Sequence, residues 1–227
     1  MSPNVMAWDC VFSLQLLKSL IAMKKILVVI GLVVGLVSAQ GGEKKLFDGK
    51  SFAGWIGDTN KTFKIVDGAI IGGTMKEKIP RNEFLCTTRD YTNFVLKLKF
   101  KLIGEGANAG VQFRTKRHLD DHEVSGYQAD MGDPSWWGCL YDESRRNKIL
   151  AQAPTEEVKK ILKRDDWNEY TIRAEGKHIQ LFINGLKTVD YVEEDPKIEN
   201  YGVIAVQIHG GPPSEAWYKD ITIEELK

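Results

Sequence analysis

Hydrophobic and polar residues alternate along most of the chain beyond residue 45, in short runs separated by turn residues. The clearest run is residues 94–102, in which Phe and Leu alternate with Val and Lys. A period of two is typical of β-strands, because successive side chains point to opposite faces. Similar runs predict further strands at residues 63–66, 69–71, 83–87, 109–114, 126–131, 167–174, 178–183, 186–192, 202–209 and 217–225.

Turn sequences indicate how neighbouring runs are joined. Asp67-Gly68 and Asn184-Gly185 stand between apolar runs and predict tight hairpins, because glycine accepts the positive φ that such turns require. One short helix is expected at residues 156–162, with Thr155 as N-cap and two glutamates in its first turn. Many short strands with one short helix predict an all-β sandwich or jelly roll.

Three of the predicted strands, within residues 110–114, 126–130 and 205–209, carry unusual polar residues on one face. Alternation directs Val111, Phe113, Tyr127, Ala129, Val206 and Ile208 into a core. The opposite face then carries Gln112, Arg114, Gln128, Asp130, Gln207 and His209. In residues 94–102 the face opposite the core carries lysines instead, which is typical of a face exposed to water. The polar faces of the three strands therefore predict a binding groove. The alternative is that the three strands are unrelated and that their polar residues simply meet water.

Composition narrows the partners and the number of domains. Lys and Arg number 31 and so do Asp and Glu, so the zero net charge argues against a nucleic-acid backbone as partner. A chain of 227 residues fits one domain, expected at residues 40–227. The six tryptophans suit the faces of sugar rings as well as a core.

The N-terminal sequence predicts export. Residues 23–39 have the basic start, apolar run and small residues of a secretory signal peptide, which leaves no transmembrane span in the mature form. Residues 1–22 fit poorly before such a signal and are interpreted as an artefactual extension. We expect a periplasmic or secreted protein, in which Cys86 and Cys139 stay separate thiols.

Nine short segments, in this order, resemble the 3-keto-disaccharide hydrolase domain family. They lie at residues 46–50 (LFDGK), 54–55, 82–85 (NEFL), 108–114 (NAGVQFR), 124–130 (VSGYQAD), 137–143 (WGCLYDE), 166–170, 184–185 and 207–213 (QIHGGPP). The resemblance implies a concanavalin A-like lectin/glucanase fold, a jelly roll of two curved antiparallel sheets with a concave groove. It also implies an oligosaccharide or glycoside substrate whose C3 hydroxyl a partner sugar oxidoreductase has oxidised to a ketone.

A ketone at C3 makes the C2 hydrogen acidic, so the C1 oxygen can leave by elimination before water adds back. This chemistry needs a base, an acid and a stabiliser for the enolate oxygen. The candidate catalytic residues are His209, Glu143 and Asp130, which would also be the ligands of a divalent metal if one serves as the Lewis acid. The candidate substrate-binding residues are Glu83, Asn108, Gln112, Arg114, Gln128, Trp137, Tyr141 and Gln207.

Other functions stay open at this point. A β-glucanase of the same fold carries E-x-D-x-x-x-E on one strand, and the only match, residues 193–199, contains Pro196 in a charged turn. A non-catalytic carbohydrate-binding module would need the aromatic and amide groups but not the clustered acids and imidazole. A purely structural exported domain would leave the polar faces unexplained.

Overall fold

Two antiparallel β-sheets pack face to face in a computed structural model that describes residues 42–118 and 121–227. The predicted N-terminal extension and signal peptide lie outside the described residues. One sheet has eight strands and the other has seven. This all-β arrangement confirms the predicted jelly-roll sandwich.

The strands of the eight-stranded sheet are β1 (Lys44–Lys45), β3 (Phe63–Val66), β4 (Ala69–Thr74), β6 (Phe94–Ile103), β11 (Asn168–Glu175), β12 (His178–Ile183), β13 (Leu186–Val192) and β15 (Ser214–Glu225). Those of the seven-stranded sheet are β2 (Trp55–Ile56), β5 (Glu83–Thr87), β7 (Asn108–Arg117), β8 (Val124–Gly132), β9 (Leu140–Glu143), β10 (Ile149–Ala151) and β14 (Val203–Ile208). The eight-stranded sheet runs in the order β13-β12-β11-β6-β15-β4-β3, with β1 paired to β15. The seven-stranded sheet runs in the order β10-β9-β8-β7-β14-β5-β2. Strands β9 and β10 were not expected from the alternation, because they are short and border turns.

Local turn chemistry behaves as predicted at both hairpins. Asp67 and Gly68 have φ values of 50° and 75°, and Asn184 and Gly185 have 48° and 84°. Two successive residues with positive φ match the right-handed twist of the paired strands. The sequence therefore fixes the β3–β4 and β12–β13 pairings locally.

The helix α1 spans Thr155–Ile161, one residue earlier than predicted. Pro154, with φ −55° and ψ 122°, takes the N-cap position, and its carbonyl accepts hydrogen bonds from the amides of Glu157 and Val158. Thr155 is thus the first helical residue and not the cap. Among the described residues, no helix has the length and apolar character needed to cross a membrane.

The core lies between the sheets, and one strand departs from simple alternation to fill it. In β15 Tyr218 is buried, as are Ile221 and Ile223, although their numbers differ in parity. The change occurs at Asp220, where φ is 52° and the pairing with β6 shifts register. This β-bulge turns Asp220 outward and keeps both halves of the strand packed on the core.

Candidate active site on the seven-stranded sheet

Strands β8, β7 and β14 lie side by side and align the predicted polar residues. Gln112 pairs with Gln128, and Gly110 pairs with both Asp130 and Gln207. Directly paired residues point to the same face. The alternating set, which includes Val111, is buried against the other sheet. The structure therefore confirms that Gln112, Gln128, Asp130 and Gln207 share the outer face of this sheet.

A chain of hydrogen bonds runs along this face and ends on a carboxyl group. The Thr115 hydroxyl donates to Gln112 Oε1 at 3.4 Å, and Gln112 Nε2 donates to Gln128 Oε1. Gln128 Nε2 then donates to Asp130 Oδ2 at 2.9 Å, while the Met131 amide donates to Asp130 Oδ1 at 2.9 Å. Because each amide is both acceptor and donor, the chain is polarised toward Asp130.

Gly110 makes room for this chain. A Cβ atom at position 110 would lie 2.6 Å from both Cγ and Cδ of Gln128, closer than any real contact. The side chain of Gln128 therefore crosses the strand where Gly110 has none, and it reaches Asp130 on that path. Glycine is needed at position 110 because Gln128 occupies the space that a side chain would take, and not because the backbone has a positive φ there.

Asp130 is the most perturbed acid on this face. Burial raises its pKa to about 8, the hydrogen bonds from Gln128 and Met131 oppose that shift, and repulsion from Glu143 adds to it. Its side chain is only 2% exposed. A carboxyl group in such surroundings holds its proton at neutral pH and can act as an acid.

Glu143 approaches the same cluster from β9. It pairs with Gly126 of β8, so its side chain shares the outer face with Gln128. Its pKa is raised by burial and by repulsion from Glu123, and lowered by Ser144 and by the Gln207 amide.

Gln207 is buried without using its hydrogen-bonding capacity. The residue has no exposed surface, and neither amide atom completes a hydrogen bond of ordinary geometry within the described part of the chain. The amide is thus close enough to affect Glu143 but is not held by it. Asn108, at the start of β7, likewise has an unpartnered buried Oδ1. Unsatisfied buried groups of this kind cost about 1–3 kcal/mol each, so their presence indicates a role other than stability.

Two tyrosines of the eight-stranded sheet hold the backbone behind these residues. Tyr170 Oη donates to the Asp130 carbonyl at 3.1 Å. Tyr218 Oη reaches the carbonyls of Gln207 at 2.5 Å and Gly110 at 3.3 Å. Both rings are fully buried in the core. The polar cluster, defined as Gln112, Gln128, Asp130, Glu143 and Gln207, is therefore positioned by the packing of both sheets.

His209 lies at the rim of the polar cluster and not within it. It follows the last residue of β14, its amide donates to the Asn108 carbonyl at 3.1 Å, and its side chain is exposed. Its Nδ1 lies 2.6 Å from the carbonyl oxygen of Gly210. Among residues 42–118 and 121–227, no three His, Cys, Asp or Glu side chains converge as metal ligands. The set Asp130, Glu143 and His209 therefore does not fit a metal ion.

Arg114 does not lie on the outer face, where the alternation placed it. The pairing of β7 with β8 shifts register after Phe113, and Arg114 has φ 47°. This bulge directs its guanidinium to the other sheet, where it donates to the carbonyls of Thr92 at 2.7 Å and Gly176 at 2.6 Å. Thr115 takes the outward position in its place.

Glu83 and Trp137 also lie away from the polar cluster. Glu83 pairs with Ile208, a core-facing residue, and its carboxylate binds Arg81 Nε at 2.9 Å. Trp137 is buried in the hydrophobic core, with its indole nitrogen 3.3 Å from Asp133 Oδ1. The position of Glu83 along its strand and the path of the loop that carries Trp137 set the directions of these side chains. Short motifs reveal neither.

Trp136, not Trp137, is the tryptophan beside the candidate site. Tyr141 pairs with Gln128, so it lies on the outer face as expected. The ring of Trp136 meets that of Tyr141 edge to face, with centroids 5.6 Å apart. Both rings remain partly exposed. The sequence expectation named Trp137, whereas the path of the loop places the ring of Trp136 beside Tyr141 and the ring of Trp137 in the core.

The two cysteines of the described chain remain separate thiols, as expected. Cys86 and Cys139 are free, buried thiols, and burial raises the pKa of Cys86 to about 11 and also raises that of Cys139. They are therefore poor nucleophiles.

Residues 193–199 form a loop after β13, in which Glu193 binds Arg146 and Tyr127. This segment is not a glucanase catalytic strand.

The comparison with protein families now gives an assignment. The 3-keto-alpha-glucoside-1,2-lyase-like domain matches residues 42–224, so the chain belongs to this family, as the sequence motifs predicted. No curated protein matches the chain. The description of the family indicates a carbohydrate-active protein.

Solved structures with the same fold include enzymes and binding modules. A protein named as a glycosyl hydrolase of Parabacteroides distasonis is 18% identical, with a TM-score of 0.61 over 82% of this chain and 94% of that chain. The carbohydrate-binding module CBM66 of Bacillus subtilis is 12% identical, with a TM-score of 0.59 over 76% and 96%. A β-glucanase of Bacillus licheniformis is 9% identical, with a TM-score of 0.53 over 82% and 99%. At these identities the likeness establishes the fold alone.

Proposed function

We propose that this protein cleaves 3-keto-glycosides by removing the C2 proton, eliminating the C1 oxygen and adding water to the product. The observation that carries the proposal is the pairing of two carboxyl groups, Asp130 and Glu143, with an unpartnered amide, Gln207, on one face. Family membership supports the substrate class.

In the first step Glu143 is the base. It takes the C2 proton, and the electrons of the C2–H bond pass to the C3 carbonyl, which becomes an enolate. Burial raises the pKa of Glu143, which makes its carboxylate a stronger base. Gln207 Nε2 is free to donate to the developing enolate oxygen. Such a positioned donor contributes roughly 10²–10³-fold to rate.

In the second step Asp130 is the acid. The enolate re-forms the ketone, a C1=C2 double bond forms, the C1–O bond breaks, and the leaving oxygen takes the Asp130 proton. Its raised pKa keeps that proton in place at neutral pH. Water then adds at C1 and a proton returns to C2, which completes a net hydrolysis. Tyr141, Trp136 and His209, which border the polar cluster, bind the sugar rings in this proposal.

The second candidate is a non-catalytic carbohydrate-binding module. The shared fold with CBM66 favours it, because that protein is named as a binding module. A module needs amides and aromatic rings but has no use for a protonated Asp130. An ordinary β-glucanase is disfavoured, because residues 193–199, the only match to its catalytic motif, lie in a loop and not on a strand.

Incubation with a disaccharide and with its 3-keto derivative separates the candidates. Release of monosaccharide from the keto form alone supports the proposal, cleavage of the unoxidised sugar supports a glucanase, and binding without cleavage supports a module. Asp130→Asn and Glu143→Gln should each lower kcat by about 10²–10⁴-fold. Asp48→Asn, at an exposed acid near the start of the described chain, is the matched control and should leave kcat unchanged.

The cellular setting is part of the same proposal. We propose that a signal peptide at residues 23–39 exports the protein and that a partner sugar oxidoreductase supplies the C3 ketone. Cell fractionation should find the mature chain outside the cytoplasm, and mass spectrometry should find its N-terminus near residue 40. A mature chain that starts at residue 1 would contradict the export proposal.

A further inference from the structure

A hollow lies beyond the bulge in β7. It has a volume of about 550 Å³ and is lined by the end of β7, the start of β8 and the segment before β14. None of the residues of the polar cluster lines it. The hollow is therefore separate from the candidate active site.

Positive charge dominates the lining of this hollow. Among the described residues, five cationic side chains line it and two acids do, Asp90 and Glu199, which leaves an excess of three positive charges. The cations are Arg114, Lys116, Arg117, Arg145 and Lys197. The whole chain has no net charge. An enclosed surface of one sign concentrates ligands of the opposite sign.

Most of these cations have no carboxylate partner within the described part of the chain. Arg145 binds Asp142 at 2.7 Å, but Arg114, Lys116, Arg117 and Lys197 form no ion pair there. Arg114 is 3% exposed and contacts only neutral oxygen atoms, so burial lowers its pKa to about 10. A buried guanidinium without a counter-charge is unfavourable unless a ligand supplies one.

An aromatic ring stands beside the cations. Tyr201 lines the hollow, is 46% exposed and donates its hydroxyl proton to Glu199 at 3.1 Å. An exposed tyrosine face binds the apolar face of a sugar ring, and arginine and lysine bind carboxylate or sulfate groups. The combination matches a charged sugar better than a free inorganic anion.

We infer that this hollow is a binding site for an acidic sugar residue, which bears a carboxylate or a sulfate. Lys116, Arg117 and Lys197 bind the anionic group, the ring of Tyr201 stacks on the sugar, and Arg114 supplies the positive field behind them. This inference does not depend on the proposed reaction, because it concerns binding by residues outside the polar cluster.

Calorimetric titration of the full chain tests the site with four probes: glucuronic acid, glucose 6-sulfate, glucose and inorganic sulfate. We expect at least one acidic sugar to bind and glucose not to bind; the tighter of the two identifies the anionic group. The inference is overturned if glucose binds equally well, if only inorganic sulfate binds, or if neither acidic sugar binds.

Variants then locate the binding. Lys116→Gln combined with Lys197→Gln removes two exposed charges and should weaken the acidic sugar about tenfold. Tyr201→Ala should remove the preference for the acidic sugar over inorganic sulfate. Lys61→Gln, at an exposed lysine of the β2–β3 segment, is the matched control and should change nothing. Unchanged affinity in the double variant, with an unchanged melting temperature, would place the binding elsewhere.

Discussion

The buried carboxyl group of Asp130 makes the stability of the protein depend on pH. In the folded state its pKa is raised to about 8 by burial, whereas an aspartate in an unfolded chain has a pKa of about 3.9. Between these values the folded protein holds one proton more than the unfolded chain. The free energy of unfolding must therefore fall as pH rises, since ionisation favours the unfolded state.

The size of the effect follows from that single proton. Asp130 should lower the free energy of unfolding by about 1.4 kcal/mol per pH unit, or about 3 kcal/mol between pH 5 and pH 7. Below about pH 4 both states are protonated, and the contribution of Asp130 to stability is fully present there. Replacement by asparagine removes the titrating group and should remove this slope.

Urea unfolding at several pH values measures the slope directly, with wild type and Asp130→Asn compared point by point. All other ionisable groups are present in both proteins, so their contributions cancel in the difference. Asp48→Asn is the control, because hydrogen bonds from Ser51 and Lys50 lower the pKa of Asp48 and leave it ionised in both states. Equal slopes for wild type and Asp130→Asn would refute the reasoning.

Three further predictions concern the neighbours of Asp130. Gln207→Leu should stabilise the fold by about 1–3 kcal/mol, because it removes an unsatisfied buried amide, yet lower kcat by about 10²–10³-fold. Gln112→Leu, which loses real hydrogen-bond partners, should destabilise the fold in the same urea assay. Gly110→Ala should displace Gln128 and raise the pKa of Asp130 further, seen as an alkaline limb of the pH–rate profile that moves to higher pH, whereas Gly211→Ala, where a Cβ meets nothing within 4 Å, should not. Tyr218→Phe should lower the free energy of unfolding by about 1–2 kcal/mol, and calorimetry that finds no loss would contradict the anchoring role.

Much of the fold could be predicted from the chain because local rules act strongly here. Residues 94–102 alternate without interruption, and β6 contains the whole of this run. Asp67-Gly68 fixes its hairpin because both residues adopt positive φ. Strands β9 and β10 escaped prediction, because they are too short for a period to emerge, and because β9 depends on pairing with β8 and β10 on pairing with β9.

The candidate site was predictable only where the strands stay regular. Gln112, Gln128 and Gln207 lie together as alternation requires. Arg114 does not, because a bulge reverses the parity of β7 beyond Phe113. An inserted residue of this kind leaves no reliable mark in the pattern, since many residue types tolerate it.

Periodicity and ordered short motifs in the sequence are enough to predict the class of fold, the family and the shared face of Gln112, Gln128, Asp130 and Gln207. Three features depend on the folded structure: Glu143 lies close enough to Asp130 to raise its pKa, Gln207 stays unpartnered among the described residues, and Trp136 lies beside Tyr141. The register of the strand pairs and the path of the loop after β8 set these features, and neither can be derived from the neighbours of any one residue.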